Sequence, residues 1–399
     1  MQANFIEASP SGLVFTKDFF EFCLRKQLNN PDLIVEAVNY IPSSSEKMTL
    51  ELKHPKKGEL PIGVQHYHLC FINGETKKNV ELLVKSKISE QHYLQAITQA
   101  FEKCGITTES PLINYLSQLE FRDVNNKEVA VYKMQKEHAP FNTFLPTCYG
   151  YYLNEDEGAC ILILQYLSDE YLSFDPFDVE KWDRLAIDYY IKALAQLHAV
   201  WFGKTKDLIT QAPSFKNILN AHKMQEFMPY WAALAKAVEK AKLPFLNETD
   251  YIFHQQLISN LNTWWQFDTM QKTLVQNDCV PKNVGLNLTK QEVYIYDWEI
   301  ATAHVPQRDL VEFLAYVLPS SFDEALLTHY IECHRHHLIK YSQQDIDKST
   351  WRLGFLYTVY DYLIQRVLPQ LVFEQLEARN IEKIYKNARR MINILLVGE

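Results

Sequence analysis

The feature that most restricts how this chain folds is a change of pattern near residue 168. Before it, short apolar and alternating runs dominate: Leu33–Ile41, Met48–Leu52, Val64–Ile72, then the turn signal Asn73-Gly74, then Val80–Ile88. Val, Ile and aromatic runs bounded by turn residues predict strands, and Asn-Gly between two of them predicts a hairpin. A helix is expected over 16–28 with Thr16 as N-cap, and further helices over 90–104, 109–119 and 126–135. Two more strands, Thr147–Leu153 and Ala159–Leu164, flank a turn-like stretch. Beyond 168 the period becomes helical, over 178–202, 216–242, 248–270 and 308–397. A single β-like island, read as one small hairpin, interrupts it at 273–298. The expectation is an α+β chain in two lobes: a β-rich segment 1–164, a connector 165–169 and a mostly α-helical segment 170–399.

Bulk properties narrow the function classes. A net charge of −9 argues against a general nucleic-acid binder, which needs a basic face. No apolar run reaches the roughly 18–20 residues of a membrane span, and the first residues lack a basic stretch followed by an apolar one. Seven scattered cysteines without C-x-x-C fit reduced thiols, so a cytoplasmic protein is expected. Only 11 residues are glycine, so any phosphate-holding loop must use other residues.

The island carries the chemistry. An apolar strand, Leu274-Val275, leads into Gln276-Asn277-Asp278, and Asn283 follows within the same loop. A second apolar strand, Val293–Tyr296, delivers Asp297-Trp298-Glu299. Phosphoryl transfer requires a carboxylate that orients the acceptor hydroxyl and takes its proton, and hard oxygen ligands that hold Mg2+ on the triphosphate. Asp278 is the candidate base; Asn283 and Asp297 are the candidate metal ligands.

These residues resemble the aminoglycoside phosphotransferase and choline kinase-like family, whose core reads H-G-D-x-x-x-x-N followed by I-D-W/F/Y-E. Leu194-Ala195-Gln196-Leu197-His198-Ala199 is similar to the family's L-A-x-L-H-A/G helix. Pro306-Gln307-Arg308-Asp309-Leu310 is similar to its P-x-x-D-L element, and Lys127-Glu128-Val129-Ala130-Val131-Tyr132 to its R-E-x-x-x-Y helix. In order, these elements cover roughly residues 60–315. Gln276 and Asn277 stand where the family has His and Gly. The resemblance implies a protein kinase-like fold and an ATP- (or GTP-) and Mg2+-dependent transfer to a hydroxyl of a small molecule. The alternative is a catalytically silent nucleotide-binding relative on the same fold.

The resemblance also implies a strand lysine on the α/β-phosphates. Lys85 is chosen because alternation places it with Leu83; Lys87 shares that face. Glu128 is its expected helix partner, and Gln165, Tyr166 and Leu167 are expected to offer backbone groups to adenine. Pro42–Ser45 and Gly58–Gly63 both qualify as the loop over the phosphates. Glu299 is expected to reach the metal through a water or to form a salt bridge, and Asp309 to cap a helix and brace the loop. His198 is expected to be a hydrogen-bonding core histidine, and His334–His337 a solvated helix face. The aromatic run from Trp351 to Tyr362 reads as core, or as the lining of a pocket in which Asp361 meets a cationic acceptor.

Overall fold

The computed structural model describes residues 4–9, 12–42, 61–106, 112–119, 121–171, 181–377 and 381–397. The chain divides into two compact units: Met1–Tyr93 with Val131–Glu170, and Leu94–Ala130 with Tyr171–Glu399. The expected α+β class is what the structure shows, with an antiparallel sheet in the first unit and mostly helix in the second.

The first unit opens with a hairpin, β1 (Ile6–Ser9) and β2 (Gly12–Phe15), which the sequence pattern did not announce. Its sheet contains β3 (Ile34–Ile41), β4 (Gly63–Asn73), β5 (Thr76–Lys87), β6 (Cys148–Asn154) and β7 (Ala159–Gln165), in the order β3-β4-β5-β7-β6. The Asn73-Gly74 turn joins β4 to β5 with Gly74 at φ 64°, a backbone region glycine enters without penalty. The strand expected over Met48–Leu52 and the stretches Ser43–Ser45 and Gly58–Leu60 lie outside the described residues.

Alternation along β5 sets its two faces. Leu82 and Val84 are fully buried in a cluster with Phe15, Phe19, Phe20 and Leu24. Each such Phe contributes on the order of 1.5–3 kcal/mol by leaving water. The cluster seats the helix Lys17–Leu28 on the sheet, with Phe20 stacked edge-on to Tyr67 at 5.1 Å. That helix approaches β6 so closely that a Cβ on Gly150 would stand 3.0 Å from the Cys23 Cβ and 3.1 Å from its carbonyl oxygen. Thr16 occupies the N-cap position as expected, yet its hydroxyl donates to the Asn4 carbonyl and caps no helix N–H.

In the second unit the helix Arg184–Trp201 packs against Glu324–Ser342. Here the single hairpin expected over 273–298 resolves into two pairs. β8 (Thr273–Val275) pairs with β11 (Thr302–His304), which lies past the expected island; β9 (Val284–Asn287) pairs with β10 (Glu292–Ile295). The C-terminal helices include a π-helical turn, Leu363–Val367, between Lys348–Tyr362 and Leu368–Glu377. Among the described residues no helix is long and apolar enough to cross a membrane. All seven cysteines lie outside disulfides.

Candidate active site

Within the second unit, β8 ends at Val275 and the chain turns at once into the loop Gln276–Asp278. Asp309, in the first turn of the helix Gln307–Val317, receives that loop. Its Oδ2 accepts the Gln276 N–H and its Oδ1 the Asn277 N–H, both at 2.8 Å. Asp309 therefore braces the loop as expected. It does not cap its helix, whose N-cap position is Pro306. His198 is buried, and its Nε2 lies 3.0 Å from Asp309 Oδ2.

Asn277 has φ 64°, a left-handed conformation that Asn tolerates better than most residues. This accounts physically for glycine or asparagine at that position. Its side-chain amide donates to the Ile300 carbonyl at 3.1 Å. Asn277→Gly keeps the backbone conformation free of strain and should cost about 1 kcal/mol for the lost bond to Ile300. Asn277→Val should cost about 1–3 kcal/mol through backbone strain, visible as a lower urea midpoint; equal midpoints would refute the strain argument.

Gln276, standing in for histidine, ties the loop to the next strand. Its side-chain amide donates to the carbonyls of Tyr296 and, at 3.3 Å, of Asp297. The Asn283 amide in turn donates to the Asp278 carbonyl at 2.8 Å and to its Oδ2 at 2.7 Å. Tyr296 N–H bonds the Asn283 carbonyl at 3.1 Å, which brings the two segments side by side. Asp278, Asn283 and Asp297 are thus joined through one hydrogen-bonded loop system. Asp297, like Asn277, sits at φ 64°.

Glu128 of the helix Val124–Met134, Asp297 and Glu299 each offer an oxygen within 4.8 Å of the others, and Glu128 is fully buried. Carboxylate oxygens grouped in this way are donors that a hard divalent ion accepts. Lys282 Nζ lies 3.9 Å from Asp278 Oδ2. The Asp278 carboxylate, with Asp297 and Glu299 beyond it, holds the Lys282 ammonium above its ordinary pKa.

In the first unit, Lys85 stands on β5 opposite Val64 and Leu162, on the face away from Leu82 and Val84. Lys87 shares that face and is buried. Of the adenine connector, Gln165 N–H bonds the Thr147 carbonyl at 2.8 Å and Tyr166 N–H the Glu81 carbonyl at 3.1 Å. Both donors are thus used inside the sheet, which narrows the expected backbone contacts.

One expectation is corrected, and one pair of readings is decided in favour of the first. His334 is fully buried rather than solvated, because its helix turns that side toward Arg184–Trp201; of the four-residue cluster, His336 is exposed. Asp361 is also fully buried and accepts from Trp265 Nε1 at 3.0 Å and from the Gln365 amide at 2.5 Å. Its run is core, so Asp361 does not face a cationic acceptor.

Sequence reasoning missed two residues that touch the loop. Glu312 accepts the Cys279 N–H at 3.0 Å. Burial raises its carboxyl pKa, against the opposing pull of Arg308 and Arg366. Its place one turn after Asp309 was a usable signal. Arg366, on the π-helical turn, donates through Nη2 to the Asn277 carbonyl at 2.6 Å. No sequence pattern announces a π-turn.

No family model and no curated protein matches the chain. Among solved structures, it is similar to the choline kinase LicA from Streptococcus pneumoniae at 9% identity and TM-score 0.43, over 94% of this chain and 98% of that one. The ethanolamine kinase of Plasmodium vivax matches at 11% identity and TM-score 0.42, over 92% and 85% of the two chains. A GDP complex of aminoglycoside 2'-phosphotransferase-IIIa matches at 12% and 0.40, over 96% and 100%.

Proposed function

We propose that this protein is a phosphotransferase that uses ATP, or GTP, with Mg2+ to phosphorylate a hydroxyl group of a small molecule. The observation that carries this reading is the hydrogen-bonded loop system that joins Asp278, Asn283 and Asp297. Asp278 is the base: its carboxylate accepts the acceptor's hydroxyl proton as that oxygen bonds to the γ-phosphorus and the bond to the departing diphosphate breaks. Asn283 and Asp297 supply an amide and a carboxylate oxygen for Mg2+, with Glu299 beside Asp297. Bound Mg2+ would neutralise charge on the triphosphate. Lys85 serves the α/β-phosphates, and Gln165, Tyr166 and Leu167 the adenine. Glu128 contributes negative charge that either the metal or a lysine ammonium balances. Catalysis of this kind is mostly positioning and charge neutralisation, which a rigidly braced loop provides.

The rival reading, a silent nucleotide binder, draws its motive from Gln276. Its amide makes bonds that tie the loop to Tyr296 and Asp297, so this departure gives no physical reason for silence.

The test is thermal. ATP with Mg2+ should raise the melting temperature more than ATP alone, because binding to the native state adds to its stability. Asp297→Ala should remove the Mg2+-dependent part. Identical shifts with and without Mg2+ in the unaltered protein would refute the metal assignment.

A further inference from the structure

Behind the loop brace lies a buried chain of side chains whose last member, His334, neither the family resemblance nor the proposed reaction uses. His198 Nε2 faces Asp309 Oδ2 at 3.0 Å, and His198 Nδ1 faces His334 Nε2 at 3.1 Å. All three residues are at most 1% exposed. They come from three helices, Arg184–Trp201, Gln307–Val317 and Glu324–Ser342. Two further elements pack on the pair: β8, whose Thr273 hydroxyl donates to the His198 carbonyl, and Lys348–Tyr362, whose Trp351 stacks on the His334 ring with centroids 5.6 Å apart and planes at 14°.

The protons follow from the partners. An ionised carboxylate only accepts, and Asp309 already accepts two loop N–H groups, so His198 Nε2 carries a proton. A neutral His198 then has a bare Nδ1, and the hydrogen on that contact belongs to His334 Nε2. That leaves His334 Nδ1 as the unprotonated nitrogen, and it has no hydrogen-bond partner. The opposite arrangement would bury a ring N–H without an acceptor, the costlier defect. The charged and titratable groups facing the pair are Asp309 on its helix and His337, one turn along the helix of His334. Burial first, and then His198 and His337, hold the His334 pKa well below its ordinary value, so this ring stays a neutral donor.

We propose that His334 is a positioning residue: by donating to His198 Nδ1 it fixes the His198 tautomer, aims that ring at Asp309, and so sets the carboxylate that holds Gln276 and Asn277 ahead of Asp278.

The experiment is nitrogen NMR on the full chain labelled with 15N-histidine, with His198 assigned by its disappearance in His198→Asn. In the unaltered protein His198 should show a protonated Nε2 and an unprotonated Nδ1. His334→Phe keeps the ring stacked on Trp351 but has no donor. It should free Nδ1, leave the His198 tautomer mixed, and speed amide exchange of Gln276 and Asn277 by at least tenfold. His334→Gln restores an N–H donor and should return both readouts most of the way. A protonated Nδ1 on His198 in the unaltered protein would overturn the proposal, and that measurement needs no variant to fold. An unchanged His198 tautomer with unchanged exchange in a folded His334→Phe would overturn it equally. These readouts do not depend on the phosphotransferase reading. If activity is found, His334→Phe should lower turnover with the KM for ATP little changed, and His334→Gln should restore most of it.

Discussion

Asp309→Ala should lower the stability of the second unit by about 3–5 kcal/mol, the range for removing one side of a buried charged network. Asp309 is fully buried and accepts three donors. Alanine leaves the Gln276 and Asn277 N–H groups and the His198 ring facing a void that offers no acceptor. Each stranded donor costs about 1–3 kcal/mol. Asparagine does not rescue the site. One carboxylate oxygen accepts from both Gln276 and His198 while the other accepts from Asn277. Whichever way the amide is turned, its NH2 meets a backbone N–H. Urea unfolding of both variants should therefore show large losses, with that of Asn the smaller. A loss under 1 kcal/mol in Asp309→Ala would mean that the loop finds other acceptors, and that the brace is not what holds Asp278.

How much of this could be read from the sequence depends on the range of the interactions. The strands of the first unit were legible because period-two alternation and the Asn73-Gly74 turn are local signals. The β1–β2 hairpin was missed because four-residue strands are too short to show a period. At the site, the loop that holds Asp278 and Asn283 and the segment that holds Asp297 were legible because each follows a short apolar strand. What spacing cannot show is which strand pairs with which. β8 was read with the strand that follows it, but it pairs with Thr302–His304 because the intervening segment folds into its own β9–β10 hairpin. The burial of His334 and Asp361 is equally non-local. Both lie on helices whose polar and apolar positions are mixed, so only packing against other helices decides which side is inward. Arg366 reaches the loop through a π-helical turn, which shifts the register of every side chain after it and leaves no mark in composition.

Asp278→Asn should lower acceptor-dependent turnover by at least ~10²-fold, the low end for loss of a general base, while leaving Mg2+–ATP affinity within a few-fold. The geometry makes this an unusually clean substitution. The Asn283 amide donates to Asp278 through both the side-chain oxygen and the backbone carbonyl. An asparagine oxygen accepts the first bond as well as a carboxylate does, and the second does not involve the side chain. The loop should therefore keep its shape, and the melting temperature should move little. What is lost is the proton acceptor and one negative charge. Lys282, 3.9 Å away, owes its raised pKa first to that charge, so its pKa should fall in the variant, a second signature readable by NMR without any acceptor. The measurement is ATP consumption against a library of hydroxyl-bearing metabolites, with the variant as control. If the unaltered protein binds Mg2+–ATP and transfers phosphate to no member, and Gln276→His is equally inert, Asp278 is a brace in a nucleotide-binding protein. If Asp278→Asn turns over as fast as the unaltered protein, the base lies elsewhere, and the loop described here positions the nucleotide alone.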